Sequence, residues 1–167
     1  RRFPLYEGLP TVEKHRGMNP YVAAVELINI CNVSDVLIGD SKAKIETLEF
    51  IEEYMENNIM SIKAYFEKGY EYFYESEYRS RADVPESVVR LTTPRVEGIR
   101  PYNNIFRRKG SITMDNELIG RYCGEVQLLK EDLEEDSRVN VIGFIHPDYI
   151  DLLKYIDKDT RIRFVRL

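Results

Sequence analysis

Three branched apolar residues stand in a row, Val36-Leu37-Ile38, between Asp35 and Gly39-Asp40. Such a run reads as a strand buried on both faces, and a strand of that kind needs neighbours on either side. Its flanks are helical. Asn19-Pro20 is a helix start, because asparagine caps and proline is tolerated at the first helical position. Val22, Val25, Leu27 and Ile28 come next, which predicts a helix from about residue 20 to 30 with Asn32 as its stop. After the run, Gly39-Asp40-Ser41 breaks the strand and places Ser41 to cap a second helix. There Ile45, Leu48, Ile51, Tyr54 and Met55 recur at three- and four-residue steps, with Glu46, Glu49, Glu52, Glu53 and Glu56 largely opposite. Asn57-Asn58 ends it. Ile59 to Phe66 then reads as another strand, Met60, Ile62, Ala64 and Phe66 alternating with Ser61, Lys63 and Tyr65. Helix, strand, helix, strand is the grammar of a parallel α/β sheet with right-handed crossovers. Two strands do not make a stable parallel sheet, so the first part of the chain demands partners from elsewhere.

The character changes near residue 67. Tyr70, Tyr72, Phe73, Tyr74 and Tyr78 crowd together, and Pro85, Pro94 and Pro101 punctuate the segment beyond them. Short strands with turn signals are predicted at 111–114, 125–129, 139–145 and 161–165. Pro147 opens a short helix carrying Ile150, Leu153 and Ile156, with His146 at its entrance, and the acidic run 130–136 reads as a solvated turn. This part predicts a small, mostly antiparallel β domain. The division is placed at residues 1–67 and 68–167.

The chain has 167 residues, 43% hydrophobic and 32% charged, so it can bury a core and is not globally disordered. Its net charge of −5 argues against nucleic acid or an anionic membrane as partner. No apolar run approaches the length of a membrane span, and no signal peptide is visible. Cys31 and Cys123 lie far apart, without metal-ligand spacing, and read as small buried apolar residues in a reduced, cytosolic chain. His15 and His146 do not make a metal centre, so no metal or cofactor is expected. The start, Arg1-Arg2-Phe3-Pro4, lacks a methionine and reads as that of a processed or truncated chain.

Three stretches carry a family resemblance. The first is GLPTVEKHR, followed by NP and a helix; the second is DVLIGD, followed by an acidic amphipathic helix. The third is GSITMDNELIGRYCGEVQLLKEDLEEDSRVNVIG. In it a Gly-x-Ile-x-x-Asp-Asn turn, Gly-Arg-Tyr-x-Gly-Glu, an acidic turn and Arg-x-Asn-Val-x-Gly come in order. Together they resemble the MupG-type 6-phospho-N-acetylmuramidases, over nearly the whole chain and least between residues 67 and 105. Members of that family are about twice this length. The resemblance implies α/β plus mostly-β architecture: the C-terminal part of a (β/α)8 barrel followed by a cyclophilin-like β domain. It further implies a cytoplasmic glycoside hydrolase that cleaves the disaccharide of N-acetylmuramic acid 6-phosphate and N-acetylglucosamine in cell-wall sugar recycling. This chain would be its C-terminal part and inactive alone.

Under that resemblance the site lies at the C-terminal ends of barrel strands. Asp40, directly after Val36-Leu37-Ile38-Gly39, is then a catalytic candidate; its alternative is a helix cap. Glu13 is the second catalytic candidate, with Glu7 as the alternative general acid or base. Glycoside hydrolysis needs two carboxyls about 5.5 Å or about 6.5–9.5 Å apart. His15 and Arg16 suit a phosphate or the lactyl carboxylate, and Glu7 completes the substrate-binding set of this loop. The alternative is a Pro- and Gly-stiffened loop with exposed charges. In the closing domain Arg121 and Tyr122 are substrate-binding candidates, since a guanidinium and an aromatic face attract phosphosugars; their alternative is an inter-domain salt bridge and a core tyrosine. Asn116 joins them, with a self-satisfied turn as its alternative. Glu125 is expected to pair with Arg121, and Gly124 to let a strand begin or bend. The tyrosines at 70–78 are either a carbohydrate-stacking surface or packing at the domain junction. A non-catalytic sugar-phosphate or partner-binding module is the competing function, and a homo-oligomer stays open.

Overall fold

The computed structural model describes residues 6–8, 10–39, 42–83 and 85–167. The chain forms two compact units, residues 1–58 and 59–167.

In the first unit helix α1 spans Pro20–Cys31 and helix α2 spans Ile45–Asn57. The Asn19 carboxamide oxygen accepts the Tyr21 N–H at 2.9 Å, so the predicted cap and Pro20 open α1 as expected. Asn32, in the left-handed region at φ 51°, ends it. The helices pack through Tyr21 edge-on to Phe50, with ring centroids 5.5 Å apart, and through Asn29 Nδ2 donating to Tyr54 Oη at 2.7 Å. The buried side of α2 is therefore Phe50, Ile51 and Tyr54. Ile45, Leu48 and Met55, predicted on that side, are exposed, Ile45 at 74%. The N-cap position of α2 is Lys44, which makes no side-chain cap bond, rather than the predicted Ser41. Cys31 is exposed, not buried as expected, because it sits on the last turn of α1 beyond the helix contact.

The expected strand at 35–39 does not form. Those residues carry no ladder, and Leu37 is 93% exposed. The physical reason is the one that made the run informative. A strand of Val, Leu and Ile is stable only between two others, and among the described residues this unit contains none.

The second unit is an open seven-stranded sheet. Its strands are β1 (Ile59–Phe66), β2 (Glu77–Arg79), β3 (Val88–Arg90), β4 (Ser111–Asp115), β5 (Val126–Leu129), β6 (Val139–Ile145) and β7 (Arg161–Val165). They lie in the order β2-β7-β1-β6-β4-β5-β3. Strand β1, barrel-like by its sequence, sits inside this sheet, parallel to β7 and antiparallel to β6. The sheet is not closed, but its outer strands touch beyond their ends. Arg81 N–H donates to Arg90 O at 2.9 Å and Thr92 N–H to Arg79 O at 2.7 Å, around a Ser80–Leu91 bridge.

The register sorts the side chains onto two faces. One face carries Met60, Ile62, Ala64, Ile112, Leu128 and Ile162, all buried. Leu152 and Leu153, from the 3₁₀ helix Pro147–Tyr155, are buried as well. His146 caps that helix, its Nδ1 accepting the Asp148 N–H at 3.2 Å. The aromatic stretch after β1 joins this core: Phe73 stacks on Phe66 at 5.0 Å, and Tyr78 lies 5.9 Å from Phe164. The other face carries Ser111, Thr113, Asp115, Gln127 and Arg90.

Gly143 marks the tightest approach in the sheet. A Cβ there would lie 2.3 Å from the Tyr65 carbonyl oxygen and 3.2 Å from Phe66 Cα, both backbone atoms that do not yield. Gly143→Ala is therefore expected to lower unfolding free energy by about 1–3 kcal/mol through overpacking. Urea unfolding at pH 7 checks this, and an unchanged midpoint would mean that β1 and β6 separate without cost.

Candidate functional site

The loop from residue 6 to Asn19 is shaped by Gly8 and Gly17, at φ 80° and 79°, and by a 3₁₀ turn over Glu13–His15. It forms one wall of a cavity of about 460 Å³ within the first unit. Glu7, His15 and Arg16 line this cavity, with apolar wall from Ala24, Leu27 and Val36. The sequence run 36–38 thus contributes lining rather than a strand.

Arg16 is committed to the loop itself. Its Nη2 donates to Glu13 Oε2 at 2.8 Å, its Nε to the other carboxylate oxygen, and its Nη1 to the Gly8 carbonyl at 2.9 Å and the Glu7 carbonyl at 3.2 Å. One guanidinium therefore closes the loop from four directions. The hydrogen bonds from Arg16 hold the Glu13 carboxyl below the usual carboxylate range. A carboxylate so held does not donate a proton near neutral pH, and what Glu13 does here is hold the Arg16 guanidinium. Its side chain is exposed and is not part of the cavity lining.

His15 is the buried member, 7% exposed. Its Nε2 lies 3.3 Å from Glu26 Oε1, at ion-pair distance but off the line of a hydrogen bond. Lys14 Nζ contacts the same Glu26 oxygen. Glu26 is the residue that sequence reasoning missed. The signal was present: it is the one charged side chain in the twelve-residue PYVAAVELINIC helix, and it is buried at 7%. A lone buried charge of this kind requires partners, and the loop supplies two. Asp40 and Ser41 lie outside the described residues.

The remaining candidates lie in the second unit. Asn116 is fully buried and caps the 3₁₀ turn Glu117–Tyr122, its Oδ1 accepting the Leu118 N–H at 3.0 Å. Its Nδ2 donates to Ser137 O and to Asn140 Oδ1, both at 2.8 Å. These bonds belong to an asparagine network that ties Arg100, Asn104 and the end of β6 together. Arg121 is exposed. Its Nη2 donates to the Tyr122 hydroxyl at 2.8 Å, and its guanidinium carbon lies 4.9 Å from that ring's centroid. The expected Arg121–Glu125 pair is not formed. Glu125 instead binds Arg81 at 2.8 Å and Arg90 at 3.3 Å, because Arg90 on β3 lies across β5 on the same face. Gly124, at φ 87°, donates its N–H to Asp115 O while Asp115 N–H donates to Glu125 O, both at 2.9 Å. Two residues oppose one there, which is a glycine bulge at the entry to β5.

Among the described residues no group of three His, Cys, Asp or Glu is placed to hold a metal ion. Among them too, no helix is long and apolar enough to cross a membrane.

Comparison with known proteins shows the same two-part division. The profile of the 6-phospho-N-acetylmuramidase N-terminal region matches residues 1–53, and that of its C-terminal region matches residues 59–165. The chain is similar to a conserved Enterococcus faecalis protein of unknown function, at 32% identity and TM-score 0.87, covering 99% of this chain and 46% of that one. It is similar to an uncharacterized B. cereus protein at 25% identity and TM-score 0.78, covering 95% of this chain and 48% of that one. The chain thus spans about half the length of these two relatives. Part of the K. lactis urea amidolyase shares the fold, at 14% identity and TM-score 0.50, over 66% of this chain and 8% of that protein. No curated protein matches the chain. Both regions of one family match in order over nearly every residue, and the chain belongs to the 6-phospho-N-acetylmuramidase family.

Proposed function

We propose that this chain is the C-terminal part of a glycosidase that hydrolyses the bond between N-acetylmuramic acid 6-phosphate and N-acetylglucosamine, a cytoplasmic step in recovering cell-wall sugars. The observation that carries this reading is the family match over residues 1–53 and 59–165. In it the first unit is the end of a (β/α)8 barrel, whose other strands would flank residues 35–39, and the second unit is the cyclophilin-like domain. The cavity bounded by Glu7, His15 and Arg16 supports it, since it joins apolar wall to one buried imidazole and one loop-fixing guanidinium. In this reading His15 and Glu7 contact the substrate, Arg16 and Glu13 fix the loop, and Asp40 is the carboxylate at the strand end. Arg121 and Tyr122 favour a second reading, in which the closing domain binds a sugar phosphate and carries no chemistry.

The test is hydrolysis of a chromogenic N-acetylmuramic acid 6-phosphate glycoside and of its unphosphorylated counterpart, by this chain and by a longer protein containing it. The expected result is turnover by the longer protein only, with the phosphorylated substrate preferred. Equal turnover of both substrates removes the phosphate from the reading. No turnover by either protein, with phosphorylated sugar still bound, leaves the binding-module reading standing.

A further inference from the structure

Three carboxylates gather where β4 meets the bulge at the entry to β5. The charges of Glu125 and Asp136 both act on Asp115. The guanidiniums nearby are committed to other acceptors. Arg81 Nη1 lies 2.8 Å from Glu125, and its Nε lies 2.9 Å from Asp83. Arg90 Nη1 lies 2.8 Å from Asp83, and its Nε lies 3.3 Å from Glu125. Arg138 grips Asp136 through Nε at 2.9 Å and Nη2 at 2.7 Å, and Arg107 Nε donates to the Glu134 carbonyl at 2.8 Å. Among the described residues no cation forms an ion pair with Asp115, the most buried carboxylate of the three.

The backbone that carries this carboxyl is fixed. Asp115 N–H donates to Glu125 O and Asp115 O accepts the Gly124 N–H, both at 2.9 Å, while Asn116 N–H donates to Arg138 O at 2.8 Å. The side chain cannot leave without parting β4 from β5 and β6. The segments beside it are held more lightly. Arg107 N–H donates to Leu133 O at 3.0 Å and Leu133 N–H to Arg107 O at 2.8 Å, an isolated bridge that clasps residues 104–107 to the turn 131–138. Asn104 Nδ2 adds a bond to Val139 O at 2.8 Å, and Lys109 N–H adds one to Asp132 Oδ1 at 2.7 Å. Both sides of this clasp reach Asp115 electrostatically, Arg107 from one and Asp136 with Arg138 from the other.

A negative charge on Asp115 is the third in this cluster, and a buried charge without a partner must be hydrated or neutralised. Strand β4 is pinned on both sides, so the clasp is the part that yields. We propose that Asp115 is a proton-controlled latch: with its proton on, residues 104–107 and the turn 131–138 stay clasped, and with its proton off they part and admit water to the carboxyl. The groups facing Asp115 are Glu125 at the entry to β5, Arg90 on β3, Arg107 on the clasp, and Asp136 and Arg138 on the turn. Burial first, and then the charge of Glu125, push the Asp115 carboxyl up to about 7, so the change falls near neutral pH. Asp136, lowered to about 2 by hydrogen bonds from Arg138, stays ionised across that range. The latch requires no hydrolysis and is independent of the glycosidase reading.

Amide hydrogen exchange at Arg107 and Leu133, whose N–H groups make the bridge, tests the proposal in this chain. Their protection, relative to an unfolded peptide at the same pH, is expected to fall about tenfold from pH 6 to pH 8, because opening releases the Asp115 proton. Their exchange is expected not to quicken in about 1 M urea, the mark of a local opening that exposes little surface. Asp115→Asn is expected to abolish the pH dependence. In the wild type the fall is expected to level off at the pH where the Asp115 side-chain ¹³C shift titrates, which keeps the test decisive if the variant does not fold. No fall, a fall that persists in Asp115→Asn, or one that continues past the Asp115 titration overturns the latch. Exchange at Arg107 and Leu133 that quickens in urea as much as that of β1 and β7 also overturns it, since ionisation then unfolds the whole sheet rather than parting the clasp.

Discussion

Asp115→Asn is expected to make the protein more stable than the wild type at pH 8, by about 2–4 kcal/mol, and to lose that advantage near pH 4. Asp115 ends β4 on the polar face of the sheet, is 2% exposed, and its Oδ1 has no hydrogen-bond partner among the described residues. Burial pushes its carboxyl up to about 7, the neighbouring negative charge of Glu125 adds to this, and Arg90 opposes it. Glu125 is already engaged by Arg81 and Arg90, so those guanidiniums are shared rather than given to Asp115.

Proton counting sets the sign. Below pH 4 the group is protonated in both folded and unfolded chains and costs nothing. Between about pH 4 and 7 the unfolded chain has lost the proton while the folded chain keeps it, so unfolding becomes easier by about 1.4 kcal/mol per pH unit. Above 7 both are ionised and the penalty stops growing, at about 4 kcal/mol in total. Asparagine matches the shape and hydrogen-bonding capacity of the neutral acid and never ionises. Unfolding free energies of both proteins at pH 5 and pH 8 measure the effect. A variant less stable than wild type at pH 8 would show instead that Asp115 is an ionised partner of Arg90 or Arg107.

What the sequence discloses about this chain depends on whether a signal is local. The Asn19-Pro20 cap, the strand 59–66 with its alternation, and the strands 139–145 and 161–165 are set by neighbours within a few residues, and all are present. The run 36–38 is as strong a local signal and forms no strand, because its stability depends on flanking strands that no residue nearby encodes. Strands β2 and β3 have three residues each, too short for a periodic pattern, and are fixed by their partners β7 and β5. Pairing is equally non-local. Proximity in sequence matches Glu125 with Arg121, whereas the cross-strand register brings it to Arg90. At the loop, the residue types Glu, His and Arg are legible but their division of labour is not. Arg16 turns inward to the loop carbonyls, and His15 finds a carboxylate on a helix eleven residues later.

Glu26→Gln is expected to lower kcat/KM of the longer protein about tenfold, the scale of one charge-assisted contact weakened at the substrate-binding His15. This rests on the proposed activity. Glu26 touches no substrate in this reading; it is a positioning residue acting through His15. A buried imidazole on a cavity wall can rotate or change which nitrogen carries its proton unless something fixes it. The carboxylate 3.3 Å from Nε2 favours a proton on that nitrogen and leaves Nδ1 as the variable edge. Glutamine keeps the volume and removes the charge, so Lys14 and His15 lose their common partner while the helix contact survives. A merely structural Glu26 predicts a lower melting temperature with kcat and KM unchanged below it. A positioning Glu26 predicts a rise in KM well below the melting temperature, larger than any fall in kcat. The chain has two histidines, so His15 and His146 are separable by a single His15→Gln assignment variant. The ¹⁵N shifts of His15 then report the protonated nitrogen directly, in this chain and without any substrate. Nε2 protonation in the wild type that gives way to a mixture in Glu26→Gln supports the role. Identical shifts in the two proteins would assign the 3.3 Å contact to packing, and His15 would have to be oriented by the substrate itself.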